Sequence, residues 1–194
     1  MNERPMFGVV TAEMEALLVP HVQGKVVWDL GAGNLWHAQM LLRLGALRVV
    51  AVEKECLPRG IRDPRVEVLH ARFDEVVVPR AGIDVAYLSW PVNHDHIPGL
   101  EALLSRSHKV VYLGSNVGGT ACGGSDLMWY LASREVLGHV PHEQNSLAVY
   151  GEGSAMGRAL LPEEWAALHP ERVWTLDEAA EAAYSEMAGC NLAK

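Results

Sequence analysis

The chain has 194 residues, of which 49% are hydrophobic and 21% charged. This is enough apolar side chain to bury the core of one ordinary domain, so global disorder is excluded. Acidic residues outnumber lysine and arginine by 24 to 16, and the formal net charge of −8 argues against a broad surface that tracks nucleic-acid phosphates. The three cysteines form no CxxC pair, and neither a signal peptide nor an apolar stretch of ~20 residues is recognisable. These features predict a cytoplasmic protein with reduced thiols and no membrane span.

Short apolar runs alternate with helical patterns along the first half of the chain. A leading helix is predicted over residues 11–22, with Thr11 as its N-cap. A second helix is predicted to stop at Gly45, since glycine tolerates the left-handed conformation that ends helices. Five runs are apolar on both faces, as strands of a covered parallel sheet are, at residues 25–29, 48–52, 65–69, 83–88 and 109–113.

The second half of the chain continues this alternation. Helices are predicted over 98–106 and 125–135, followed by a late strand around Val149 and Tyr150. Thr175 and Glu178 form a capping box for a last helix through Ala188. The order of elements predicts the α/β class, with a doubly wound, mostly parallel sheet that carries helices on both faces. We expect a single domain over 1–194, with its core at 10–150 and a mostly helical extension at 151–194.

The most informative stretch is VVWDLGAGNLWHA, residues 26–38, in which a strand ends at Asp29 and the chain turns through Gly31 and Gly33 into a helix. Two glycines there let the backbone approach a ligand and direct helix N–H groups toward it. A dinucleotide fingerprint needs a third glycine where this chain has Trp36, which disfavours NAD and FAD. The phosphate-loop pattern GxxxxGK[ST] is absent from the sequence.

In these residues the sequence resembles the class I S-adenosylmethionine-dependent methyltransferases, whose first motif, D/E-x-G-x-G, matches Asp29-Leu30-Gly31-Ala32-Gly33. The resemblance covers about residues 10 to 150 and implies a Rossmann-like domain whose core binds S-adenosylmethionine. It places the glycine turn under the methionine part of the cofactor and Glu53 on both ribose hydroxyls, where an acceptor-only carboxylate suits a diol. The cofactor-binding residues that it implies are Asp29, Gly31, Ala32, Gly33, Asn34, Glu53, Lys54, Arg72, Phe73 and Ser89.

After the third predicted strand the family commonly has an acidic or small polar residue near the adenine. This chain has Arg72 and Phe73 there, with Asp74 one step later. Phe73 either stacks on the adenine or caps the core, and the sequence leaves both interpretations open.

Following the fourth predicted strand, Ser89-Trp90-Pro91-Val92 is similar to the (D/N/S)-P-P-(Y/F/W) motif of amino-directed methyltransferases. Ser89 and Pro91 match the motif, whereas Trp90 and Val92 depart from it. The resemblance implies that this segment holds the methyl acceptor. His94 is a candidate general base beside the methyl donor, because histidine titrates near neutrality. A metal site at residues 93–96 is not expected, since no third distant ligand is identifiable. The candidate catalytic residues are Ser89, Trp90, Pro91 and His94.

The function predicted from this pattern is methyl transfer from S-adenosylmethionine to an unidentified acceptor, with an amine nitrogen as one candidate. The acidity of the chain favours a small molecule or a protein side chain, and a nucleobase stays open. Assembly into a homo- or hetero-oligomer is also left open. Two alternatives are a catalytically silent S-adenosylmethionine-binding partner subunit and, less favoured because of Trp36, an NAD-dependent oxidoreductase.

Overall fold

A computed structural model describes residues 8–55, 63–91, 97–114, 124–142 and 145–153. None of the helices in these ranges is long and apolar enough to cross a bilayer. The elements are, in chain order, α1 (Ala12–Val22), β1 (Val26–Leu30), α2 (Trp36–Arg43), β2 (Arg48–Glu53), β3 (Val66–His70), a 3₁₀ turn (Phe73–Glu75), β4 (Ile83–Ser89), α3 (Leu100–Ser105), β5 (Ser107–Gly114), α4 (Gly124–Ala132), β6 (Arg134–Val140) and β7 (Ser146–Gly153).

The strands form one sheet in the order β3-β2-β1-β4-β5-β7-β6. Strands β1 to β5 pair in parallel, whereas β7 is antiparallel to both β5 and β6. The strand order reverses between β1 and β4, and open α/β sheets bind ligands beside such a switch point. The predicted doubly wound, mostly parallel sheet is confirmed, and the five predicted parallel strands are all present.

Two apolar layers cover the sheet, one on each face. Successive residues of β1 enter opposite layers, with Val27 in the layer under α1 and α2 and Trp28 in the layer under α3 and α4. This alternation explains why the strands read as apolar on both faces. The helices contribute Met14, Leu18 and Leu41 to the first layer and Leu103, Leu104 and Leu131 to the second. The prediction of helices on both faces is therefore confirmed.

Two predicted helix ends are confirmed by their hydrogen bonds. The Thr11 Oγ1 atom accepts from the Met14 N–H at 3.3 Å, which caps α1. Gly45 adopts φ = 96°, its N–H donates to the Leu42 carbonyl at 3.1 Å, and the next N–H, that of Ala46, donates to Leu41 at 3.0 Å. A left-handed residue thus ends α2 and turns the chain into β2.

The predicted helix over 125–135 is wrong at its carboxyl end, because α4 stops at Ala132 and Arg134 begins β6. Arg134 is only 6% exposed and donates five hydrogen bonds, four to main-chain carbonyls and one to the Tyr130 hydroxyl. Three of those carbonyls belong to β5 and β7, so the strand depends on contacts that are distant in sequence. A local helical pattern cannot contain this information.

The late strand predicted at Val149 and Tyr150 is present as β7, which continues to Gly153 and so reaches into the segment predicted as a mostly helical extension. The helix predicted between Thr175 and Ala188 lies outside the described residues.

Candidate active site

The predicted site residues follow the carboxyl ends of four neighbouring parallel strands, which meet at one edge of the sheet. Val92, the last residue of the predicted acceptor segment, and His94 lie outside the described residues. The structure brings the others to this edge in four groups, namely Asp29, Gly31, Ala32, Gly33 and Asn34 after or at the end of β1, Glu53 and Lys54 at β2, Arg72 and Phe73 after β3, and Ser89, Trp90 and Pro91 after β4.

Every second residue of the turn between β1 and α2 has a positive φ angle. Gly31 and Gly33 have φ of 80° and 52°, and Leu35 follows with φ = 63°. A Cβ atom added at either glycine would meet nothing within 4 Å. The glycines are therefore required by backbone conformation rather than by crowding within the chain. The space beside them is open to a ligand.

Main-chain hydrogen bonds hold this turn against β2. The N–H groups of Gly31 and Ala32 both donate to the Val52 carbonyl, at 2.9 and 3.1 Å. The Asn34 Oδ1 atom accepts from the Trp36 N–H at 3.2 Å, at the start of α2. Asn34 thus has a structural contact within the turn, and Lys54 is exposed at the end of β2.

Glu53 joins the turn to the end of β2 through its carboxylate. Its Oε2 atom accepts from the Gly33 N–H at 2.9 Å and its Oε1 atom from the Glu55 N–H at 3.1 Å. An ionised carboxylate has about four lone-pair directions, so each oxygen can accept one more hydrogen bond. The sequence predicted an acceptor at this position but gave no sign that the glycine turn itself orients it.

Asp29 is a buried acid at the end of β1, with 1% of its surface exposed. Burial raises the pKa of this carboxyl group to about 7, and the nearby charge of Glu53 adds to the effect. Among the described residues, none donates a hydrogen bond to the Asp29 Oδ2 atom. A buried acceptor without a donor is costly, so this site favours a ligand that carries N–H groups or positive charge.

The two residues predicted near the adenine have different surroundings. The Arg72 guanidinium forms a paired contact with the Asp74 carboxylate, with both nitrogen–oxygen distances at 3.0 Å, on the exposed surface. Phe73 is half-buried and packs against the apolar layer under α3 and α4. The contact that the core-capping interpretation of Phe73 requires is therefore present. Stacking of Phe73 on the adenine stays a prediction.

A buried polar cluster that the sequence did not predict connects α2 with β4. The His37 ring is 6% exposed, with Nδ1 at 2.8 Å from the Tyr87 hydroxyl and Nε2 at 3.1 Å from the Ser89 hydroxyl. Tyr87 lies opposite Asp29 in the sheet register, and burial together with the Asp29 charge holds the pKa of Tyr87 well above its usual value. The sequence contained one sign of this cluster, because His37 is a polar residue on an otherwise apolar face of α2.

The segment after β4 has an unusual backbone. Trp90 is left-handed, with φ = 47°, and its N–H donates to the Leu113 carbonyl at 2.8 Å. The chain near its amino end closes on this segment, because a Cβ at Gly8 would lie 3.0 Å from both the Ser89 hydroxyl and the Trp90 ring. The Asn145 amide anchors the same stretch by donating to the Val9 carbonyl at 3.0 Å. Backbone strain of this kind is concentrated at functional sites.

No candidate metal site with three or more His, Cys, Asp or Glu ligands occurs among the residues that the structure describes.

Comparison of the sequence with protein-family models and with curated proteins finds no match. Many solved structures match the fold. The 1,6-didemethyltoxoflavin N1-methyltransferase of Burkholderia thailandensis, solved with S-adenosylhomocysteine, aligns with TM-score 0.55 and 17% identity over 74% of this chain and 78% of its own. A candidate methyltransferase of Escherichia coli gives 0.56 and 11% over 79% and 90%. A candidate S-adenosylmethionine-dependent methyltransferase of Listeria monocytogenes gives 0.53 and 10% over 73% and 97%.

At these identities the likeness concerns the fold alone. The sheet order, the antiparallel β7 and the glycine turn after β1 agree with the resemblance found in the sequence. The chain has the fold of the class I S-adenosylmethionine-dependent methyltransferases.

Proposed function

We propose that the protein binds S-adenosylmethionine at the carboxyl edge of β1 and β2 and transfers its methyl group to an acceptor at residues 89–91. The observation that carries this proposal is the open space beside Gly31 and Gly33, in a turn that Glu53 contacts and that follows Asp29, a buried acceptor without a donor among the described residues. Ligands of open α/β sheets lie in this position, beside the switch in strand order.

The residues present fit the chemical groups of the cofactor. Its ammonium and sulfonium charges suit the environment of Asp29, whose Oδ2 atom needs a donor. Its ribose hydroxyls suit the two lone-pair directions that Glu53 keeps after binding the Gly33 and Glu55 N–H groups. When bound, the cofactor supplies an electrophilic methyl group on sulfur, and the protein contributes orientation and exclusion of water.

On the acceptor side, Ser89 supplies a hydroxyl that can accept a hydrogen bond from an amine, and Trp90 supplies an apolar wall. Trp90 packs against the layer under α3 and α4, which supports a role in excluding water. The net charge of −8 favours a small molecule or a protein side chain as the acceptor, and a nucleobase stays open. His94 remains a candidate general base.

A second candidate is a catalytically silent S-adenosylmethionine-binding subunit, and the backbone of Trp90 favours it. Proline is confined to φ near −65°, so the proline that the amino-directed motif has here cannot adopt the 47° of Trp90. The segment after β4 therefore departs from that motif in conformation as well as in sequence. Methyl transfer assayed with a purified partner separates this candidate from the first.

A matched pair of glycine variants tests cofactor binding. Gly31 and Gly24 have φ of 80° and 70°, and a Cβ at either meets nothing within 4 Å, so both alanine variants carry similar backbone strain. Only the Gly31→Ala side chain enters the proposed cofactor space. We expect both to lose about 1 kcal/mol of folding stability, while only Gly31→Ala binds S-adenosylhomocysteine much more weakly in calorimetric titration.

Titration of the unsubstituted protein with NAD serves as the control for the oxidoreductase alternative. Equal weakening by the two glycine variants, or tighter binding of NAD than of S-adenosylhomocysteine, would count against the proposed function.

A further inference from the structure

His37 lies at the amino end of α2, directly after the glycine turn, and both of its ring nitrogens are engaged. The Tyr87 hydroxyl is 2.8 Å from Nδ1 and the Ser89 hydroxyl 3.1 Å from Nε2. The two partners are separated by one residue on β4 and lie on the same face of the sheet. One imidazole thus connects a fully buried residue of the strand with the last residue of the strand at the proposed acceptor site.

The buried Tyr87 favours the His37 tautomer that carries its proton on Nε2. Tyr87 is fully buried and keeps its phenolic proton, because desolvation and the Asp29 charge both disfavour the phenolate. A buried O–H needs an acceptor, and His37 Nδ1 is at hydrogen-bond distance. When Tyr87 donates to Nδ1, a neutral imidazole carries its single N–H on Nε2. That N–H then donates to the Ser89 oxygen.

We propose that His37 is a positioning residue that holds the Ser89 hydroxyl in one orientation toward a methyl acceptor with an N–H group, an inference that rests on the proposed function. An unrestrained serine hydroxyl samples three rotamers and rotates freely about its C–O bond. The His37 N–H occupies one lone pair of Ser89, and the Gly8 backbone lies near the same oxygen, since a Cβ added at Gly8 would be 3.0 Å from it.

The hydrogen-bonding capacity that Ser89 keeps indicates the chemical class of the methyl acceptor. With one lone pair taken by His37 and its proton within reach of the Tyr87 hydroxyl, the Ser89 oxygen keeps one lone pair to accept a hydrogen bond. A primary or secondary amine nitrogen can donate one N–H to that lone pair while its own lone pair is directed at the methyl group. A tertiary amine has no N–H to donate. We therefore expect discrimination in favour of primary and secondary amines.

Two cofactor analogues test the inference without knowledge of the natural acceptor. S-Adenosylhomocysteine lacks the methyl group, whereas sinefungin has an amine-bearing carbon where the cofactor has its methylated sulfur. The sinefungin amine thus brings N–H groups to the place where methyl group and acceptor meet. The change in the ratio of the two dissociation constants between protein variants reports on the contact with Ser89, because the other interactions of both ligands are common to all variants.

A matched pair of substitutions separates positioning from folding. The amide of His37→Gln overlaps the Nε2 position and keeps a donor for Ser89, whereas the amide of His37→Asn overlaps the Nδ1 position and keeps only the contact with Tyr87. We expect the unsubstituted protein and His37→Gln to prefer sinefungin over S-adenosylhomocysteine by about tenfold more than His37→Asn does, the usual effect of a hydrogen bond to a charged group. All three are expected to bind S-adenosylhomocysteine equally.

An unchanged ratio in His37→Asn would overturn the inference. Should His37→Asn not fold, ¹⁵N NMR of histidine-labelled unsubstituted protein decides instead, since the inference requires a proton on Nε2 and none on Nδ1, and the reverse would refute it. Failure of every protein, including the unsubstituted one, to bind S-adenosylhomocysteine would instead contradict the proposed function on which the inference rests.

Discussion

Asp29→Asn should stabilise the protein at neutral pH, because the native carboxylate is ionised only at a large cost. The pKa of Asp29 rises from 3.8 to about 7 on folding, chiefly through burial. At ~1.4 kcal/mol per pKa unit this corresponds to about 4 kcal/mol. Below pH 4 the carboxyl group is protonated in both states and adds no penalty. Between pH 4 and 7 it ionises in the unfolded chain but not in the folded one, so the free energy of unfolding falls as pH rises and then levels off above pH 7.

Urea denaturation of the two proteins at pH 5, 6, 7 and 8 measures this difference. We expect the advantage of Asp29→Asn to grow by about 3 kcal/mol between pH 5 and pH 8, with unchanged m-values. Asp63→Asn is the matched control. The Arg65 side chain holds the pKa of Asp63 at about 2, so Asp63 is ionised in both states throughout this range. Its substitution should leave the pH dependence unchanged. A constant difference between Asp29→Asn and the parent from pH 5 to pH 8 would refute the burial argument.

Three further predictions concern Glu53, Arg134 and Ser89. Glu53→Ala should weaken S-adenosylhomocysteine binding by about 1.5 to 3 kcal/mol, the range for hydrogen bonds to a charged group, and calorimetry with equal affinity for both proteins would contradict the ribose assignment. Arg134→Met should cost about 3 kcal/mol or more in urea denaturation, since it leaves buried carbonyls without donors, whereas exposed Arg80→Met should cost little. Ser89→Ala should lower methyl transfer while S-adenosylhomocysteine affinity stays nearly unchanged, and parallel loss of both would place Ser89 in the cofactor site instead.

The central sheet was predictable because its strands and helices are encoded locally. The runs that became β1, β2 and β4 are apolar on both faces, and Gly45 ends α2 by the conformation that its residue type prefers. Strand β6 was not predictable in this way, since four of the five hydrogen bonds of Arg134 reach residues 17 to 30 positions away in sequence. Local periodicity therefore extended α4 into residues that belong to a strand.

The candidate site shows the same division. The glycine turn was predictable from the residues themselves, and Glu53 was predictable from the family resemblance, since the carboxyl ends of neighbouring parallel strands share one edge. The hydrogen bond from Gly33 to Glu53 and the His37 cluster depend on side-chain directions that spacing does not contain. His37 in particular reads as an ordinary helix residue until α2 is packed against β4.

The raised pKa of Asp29 also predicts that cofactor binding releases protons. Near pH 7 about half of the Asp29 carboxyl groups are protonated, since their pKa is about 7. A bound ammonium group next to Asp29 favours the carboxylate, so binding of S-adenosylhomocysteine should release about half a proton at pH 7 and about 0.9 of a proton at pH 6. Because only the ionised fraction is competent to pair, affinity should rise about tenfold from pH 6 to pH 8. Calorimetry in phosphate and in Tris, whose ionisation enthalpies differ, measures the released protons directly. Asp29→Asn should abolish both effects, and equal binding enthalpies in the two buffers at pH 7 would show that the cofactor's charge is not paired with Asp29.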